Sequence, residues 1–174
     1  MIETIVKLQA WSKKNFPYAT PEECWWGLVE ELGEYAHATL KGKQKIRGFS
    51  DPQKVTASQL DAIADAAVFA IDLCTRKGMT AAEVETAFLF ARADRDVAGI
   101  DITPEGPMQS VVMRGVLHFI ALDGVERYDA VTIFSGLKTL AAMHGADLAQ
   151  IVDNVYETTL RHRDWVANPT GALQ

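Results

Sequence analysis

Cysteine is scarce: Cys24 and Cys74 are the only two among 174 residues. Both fall inside apolar helical patterns with no metal-type spacing, so the sequence predicts reduced core thiols and neither a disulfide framework nor a thiolate metal site. No segment approaches the ~20 apolar residues of a membrane span. The start, Met1-Ile-Glu-Thr-Ile-Val-Lys7, lacks the basic stretch and apolar run of a secretory leader. The expectation is a cytoplasmic protein with no membrane partner. Positive charge is also thin: 17 Lys and Arg against 23 Asp and Glu leave a net charge of -6, with the basic residues scattered. That argues against a nucleic-acid partner, which needs a concentrated positive face. An acidic chain that handles phosphates needs a divalent cation between them. Period-two alternation is missing as well, which leaves an all-α class.

What is present is helical periodicity. Leu60, Ile63, Ala64, Ala67, Val68, Ile71 and Cys74 recur at three- and four-residue steps. Helices are expected near 2–15, 21–41, 54–77, 80–96, 108–122, 127–144 and 147–165, punctuated by Pro17, Gly42, Gly48, Pro52, Gly78, Pro104, Gly106, Pro107 and Gly145. The chain is long enough for one compact domain or for two small helical halves packed together. A linker of turn formers at 101–107 divides it into residues 1–100 and 101–174.

The two halves echo each other. Gly78-Met-Thr-Ala-Ala-Glu83 lines up with Gly145-Ala-Asp-Leu-Ala-Gln150, each reading as helix end, turn and reciprocal capping box. Leu60-Asp61-Ala62-Ile63 resembles Tyr128-Asp129-Ala130-Val131, and Gly33, Leu40 and Gly42 match the spacing of Gly115, Leu122 and Gly124. The pattern suggests a tandem duplication, although any two helices joined by a short turn share some of it. On this alignment Glu31, Glu34 and Asp65 fall opposite Met113, Val116 and Ile133, so the second half is a degenerate copy without the carboxylates.

Ionisable groups concentrate on two helices. At about 100° per residue, Glu30, Glu34, His37 and Lys41 form one stripe with Glu31 beside it, while Trp25, Leu28, Leu32, Tyr35 and Thr39 lie opposite. In the helix over 54–77, Asp61, Asp65 and Asp72 cluster against Ile63, Ala67, Ile71 and Cys74. Acidic helix faces are ordinarily solvated. Here, however, Gly33, Ala36, Ala62, Ala64, Ala66 and Ala67 lie among the acids and let helices approach closely. Facing carboxylates without a cation cost several kcal/mol in repulsion and desolvation, a conflict that a hard divalent ion on oxygen ligands resolves.

Glu30-Glu31-Leu32-Gly33-Glu34, a basic spacer, and Asp61-Ala62-Ile63-Ala64-Asp65 together resemble the MazG-like all-α nucleoside triphosphate pyrophosphohydrolases, over roughly residues 5–97. That family's signature is Glu-Glu-x-x-Glu followed by Glu-x-x-Asp. The first element matches, whereas the family's second Glu falls at Ala62, one residue after Asp61. The resemblance implies a helical bundle that cleaves a (deoxy)nucleoside triphosphate between its α and β phosphates, giving monophosphate and pyrophosphate. It implies Mg²⁺, with Mn²⁺ as a substitute, on Glu31, Glu34 and Asp65, and a water activated by Glu30 or Asp61. Lys41, Lys45 and Arg47 in the basic loop then become candidate phosphate ligands. Trp11, Phe16, Trp25 and Trp26 are candidate platforms for the base, with Trp11 and Trp26 favoured and Trp25 assigned to the core.

Two other readings remain open at this level. Glu34-Tyr-Ala-His37 is a Glu-x-x-His element of the di-iron type, but Gly115, Ala141 and Thr159 stand three residues before the other histidines, so no second element exists. The alternative from a different class is a catalytically silent helical module that binds nucleotides or a protein. A homodimer is expected from the apolar surface of Val111, Val112, Val116, Leu117, Phe119 and Ile120. If the second half instead supplies that partner internally, its last helix covers the cleft and brings Arg161 or Arg163 toward the phosphates.

Overall fold

The computed structural model describes residues 1–92 and 130–168, and all regular structure in them is helical. In chain order the helices are α1 (Ile2–Asn15), α2 (Pro21–Gln44), α3 (Pro52–Arg76), α4 (Ala81–Phe90), α5 (Ala130–Met143) and α6 (Leu148–Thr158), followed by a 3₁₀ turn at Leu160–His162. The linker at 101–107, the helix expected at 108–122 and the apolar residues assigned to a dimer surface lie outside the described residues, as do Gly115, Leu122, Gly124, Tyr128 and Asp129 of the duplication pattern. Among the described residues no helix is long and apolar enough to cross a membrane.

Local chemistry sets the helix starts. Thr20 precedes Pro21 and accepts from the Glu23 amide at 3.2 Å, while the Glu23 carboxylate accepts from the Thr20 amide at 2.6 Å. Thr80 and Glu83 repeat this reciprocal box at 3.3 and 2.8 Å. Asp51 opens α3 by accepting from the Gln53 amide at 2.9 Å. The box expected at Asp147 and Gln150 forms only by half: Asp147 accepts from the Gln150 amide at 3.0 Å, with no return bond from the exposed Gln150 side chain.

Two helices end earlier than the periodicity predicts, each because a distant side chain satisfies the freed backbone. α4 stops at Phe90, not near 96. The Lys138 ammonium donates to the carbonyls of Phe88 (2.6 Å) and Ala91 (3.0 Å), and Ser135 accepts from the Arg92 amide. α6 stops at Thr158, not near 165. Beyond it Asp164 accepts from the amides of Val166 and Ala167, and Asn15 accepts from the Trp165 amide at 2.7 Å. Asp competing for local amides is a turn former, not a helix former.

α2 and α3 form an antiparallel hairpin. Cys24 meets Asp72, Gly27 meets Phe69, Thr39 meets Gln59 and Gly42 meets Val55, so one helix climbs as the other descends. On this register Glu31 stands opposite Asp65. α3 is the central element, packed by α2, α1, α4, α5 and α6. Its Ala62, Ala64, Ala66, Ala67 and Ala70 are all buried, and such small side chains let neighbouring backbones come close. The expectation that Gly33 and Ala36 share this role is not met, because both face solvent and a Cβ on Gly33 meets nothing within 4 Å. One apolar core runs from Ile5 and Leu8 through Leu28, Leu32, Ile63 and Ile71 to Phe134, Leu137, Leu140 and Val152, so residues 130–168 pack directly on the first half.

Gly27 is the tightest point of the hairpin, since a Cβ there falls 2.3 Å from the Phe69 ring. Overpacking of about 1–3 kcal/mol outweighs the ~1 kcal/mol helix-propensity gain of alanine. Gly27→Ala is expected to lower the denaturation midpoint, and to raise it once Phe69→Leu has removed the ring. Equal effects of Gly27→Ala in the two backgrounds, measured as a double-mutant cycle, would contradict this packing account.

Candidate functional site

Between α1, the N-terminal part of α2, α3 and the segment after α6 lies a cleft of about 620 Å³. One wall is acidic, with Glu31 from α2 and Asp61, Asp65 and Asp72 from α3. The other is aromatic and apolar: Leu8, Trp11 and Phe16 from the α1 end, Val155 and Leu160 from the C-terminal region, and Trp165. Trp11 and Phe16 meet edge to face with centroids 5.7 Å apart, and Phe16 and Trp165 lie 6.3 Å apart. The cleft is therefore amphipathic: a flat apolar group fits one side and a cationic or metal-bridged group the other.

The acids differ in how far they are removed from water. Glu31 and Asp65 are half-buried, while Asp61, Glu34 and Glu30 are exposed. Burial raises the Glu31 carboxyl to about 8, reinforced by the negative charges of Asp65, Glu34, Glu30 and Asp61. Burial likewise raises Asp65 to about 6, with Asp61 and Glu34 pushing the same way and the Arg163 guanidinium opposing them. Both shifts share one origin: like charges placed in a poorly solvated hairpin.

Asp72, at the other end of the acidic wall, has fixed partners. It accepts from Arg76 Nε at 3.1 Å and from the Cys24 thiol at 3.3 Å, and Arg76 also donates to Ser12 Oγ (2.8 Å) and to the Phe16 carbonyl (2.9 Å). This network ties α1, α2 and α3 together. Burial, with the Asp72 charge next, pushes the Cys24 thiol up to about 12, so it is no nucleophile.

Of the residues singled out from sequence, Glu31, Asp61, Asp65 and Trp11 come together in the cleft, and Phe16 joins them. Glu34 and Glu30 lie on the exposed side of α2, near enough to raise Glu31. Trp26 is 55% exposed and packs edge to face on Trp25, away from the cleft lining. Lys41, Lys45 and Arg47 do not line the cleft either. Lys41 reaches Gln44 at 3.4 Å, and Lys45 and Arg47 are exposed, with left-handed φ of 53° and 54° that shape the turn into α3. His37 is exposed against the Phe49 ring.

Trp165 and the apolar cleft lining from α6 were missed by sequence reasoning, while Asp72 was placed in the acidic stripe without a role of its own. Trp165 was hidden by the assumption that α6 continues through it. The pair Thr158-Thr159 followed by Asp164 is the signal that marks the break.

Among the described residues no three His, Cys, Asp or Glu side chains stand in an arrangement that cages a metal ion. The donors nevertheless suit Mg²⁺, because Glu31, Asp61 and Asp65 offer hard oxygens, and Mg²⁺ keeps several waters and needs only one or two protein carboxylates beside substrate phosphate. No family model, no curated relative and no solved structure matches the chain.

The cluster has a consequence for stability without metal. The folded chain holds protons on Glu31 and Asp65 that the unfolded chain releases near 4.5 and 3.8. Stability is therefore fully present at low pH and falls as pH rises through about 6 and then about 8. In chelator, the melting temperature is expected to drop across this window, each kcal/mol lost moving it by about 2–4 °C, and Glu31→Gln is expected to flatten the drop. A wild-type melting temperature that rises from about pH 6 to pH 9 would contradict the assignment.

Proposed function

We propose that the chain is a Mg²⁺-dependent nucleoside triphosphate pyrophosphohydrolase of the MazG-like type. The observation that carries this reading is the placement of Glu31 opposite Asp65 across the α2–α3 hairpin, with Asp61 in the same cleft and an aromatic wall facing them. Glu31 and Asp65 would hold the metal, with Glu34 at the exposed edge. Bound there, Mg²⁺ supplies neutralisation of charge on the phosphate oxygens.

The chain's own residues do the rest. Asp61, exposed within the cleft, accepts a proton from the attacking water. The water oxygen bonds to the α phosphorus, the α–β bridging P–O bond breaks, and pyrophosphate leaves with that electron pair. Asp61 takes the place of the Glu that the signature sets at position 62, where Ala62 is 3% exposed and turned into the core. Trp11, Phe16 and Trp165 offer the base apolar faces. A homodimer in the cytoplasm belongs to the same proposal.

Incubation with single NTPs and dNTPs plus Mg²⁺ is expected to release pyrophosphate and not orthophosphate. Loss of an outer partner of a metal ligand already costs 10–100-fold, so Glu31→Gln and Asp65→Asn are expected to lose more than about 100-fold with helical content retained. Binding without cleavage by the wild type would favour the silent nucleotide-binding module, and orthophosphate as product would exclude the proposed bond.

A further inference from the structure

α6 and the segment that follows it are fastened to α1 along its length. Thr4 donates to Asp153 at 2.7 Å, Lys7 pairs with Glu157 at 2.9 Å, Trp11 Nε1 donates to the Arg163 carbonyl at 3.1 Å, and Lys14 pairs with Asp164 at 2.8 Å. The two run parallel, and the Arg163 carbonyl is held at the α1 wall of the cleft. Its side chain lines the cleft, where it is the only cation among the described residues, and its guanidinium lies 5.6 Å from the Trp165 ring.

One atom of that guanidinium is not satisfied by the protein. Arg163 Nε is buried with no hydrogen-bond partner, and among the described residues no carboxylate stands within ion-pair distance of the side chain, although Asp65 feels its charge. A buried donor left unpaired is destabilising, the more so when it is charged. The other orphaned atom among the described residues, Trp25 Nε1, is a neutral indole outside the cleft lining. Nearby Arg161 differs in kind, because it is exposed, pairs with Glu157 and donates to His162.

Resting on the pyrophosphohydrolase reading above, we propose that Arg163 is a phosphate-binding residue, its guanidinium gripping the polyphosphate of the substrate in the cleft that Glu31 and Asp65 also line. The phosphate chain then lies among carboxylates that require a cation and a guanidinium whose Nε lacks a hydrogen-bond partner. A guanidinium forks onto phosphate oxygens in a way that a point charge does not. The basic loop at 41–48 is not needed for this grip.

The test uses the full chain with inorganic tripolyphosphate and Mg²⁺, read by calorimetry, alongside pyrophosphate release from NTPs. Arg163→Gln is expected to weaken tripolyphosphate binding by about 10–100-fold, the loss of one charge-assisted contact. Arg163→Lys is expected to recover part of it, and Arg161→Gln to bind like wild type. Circular dichroism guards against misfolding, with Arg163→Lys the milder variant if Arg163→Gln fails to fold. Wild-type affinity in Arg163→Gln overturns the inference alone. So does a wild-type chain that releases pyrophosphate from NTPs yet does not bind tripolyphosphate. A wild type that neither binds tripolyphosphate nor releases pyrophosphate overturns the proposed function, and this inference with it.

Discussion

The close antiparallel approach of α2 and α3 is the constraint on which the rest of the molecule depends. Gly27 against Phe69 and Gly42 against Val55 leave no room for larger side chains, and the buried alanines of α3 let further helices pack around it. That approach sets Glu31 against Asp65 in a place with too little water for two negative charges, which is why both carboxyls hold protons more tightly than exposed acids do. A solvated acidic face would show no such strain. The site thus stores a deficit of positive charge, and the hairpin packing keeps the acids from relaxing apart.

The second structural theme is the fastening of the C-terminal segment to α1. Hydrogen bonds and ion pairs link Thr4 to Asp153, Lys7 to Glu157, Trp11 to the Arg163 carbonyl, Lys14 to Asp164 and Asn15 to the Trp165 amide. The exposed pairs add little stability one by one. Together they specify register, and register brings Trp165 and Arg163 to the cleft formed by residues more than 90 positions earlier in the chain, such as Asp65 and Asp72. α5 and α6 share the core of the first helices, so the cleft and the helices that wall it stand on one packed body.

How much of this was legible in the sequence depends on whether the deciding interaction is local. The start of α4 was legible because Thr80 with Glu83 carries its cap within three residues, and the caps of α2 and α3, Thr20 with Glu23 and Asp51 before Pro52, are just as local although they were not read. The two acidic stripes were legible from their spacing, and so was the burial of Leu28, Leu32 and Tyr35 opposite them. The register between the stripes was not, because periodicity fixes faces and leaves open which residue meets which across a hairpin. That register separates Glu31, turned into the cleft, from Glu30 and Glu34, left in solvent. The ends of α4 and α6 were illegible for the same reason: Lys138 and Asn15, which complete them, lie 47 and 150 residues from the backbone groups they satisfy.

The central claim is that Glu31 and Asp65 form a cation-seeking pair in which Glu31, raised to about 8, still holds its proton at neutral pH. Metal binding to such a pair must displace protons. The most direct measurement is therefore proton release when Mg²⁺ or Mn²⁺ is titrated into lightly buffered protein near pH 7. The account predicts saturable uptake with release of about one proton per ion, abolished in Glu31→Gln. Metal uptake with no proton release, or uptake unchanged by Glu31→Gln, would contradict it.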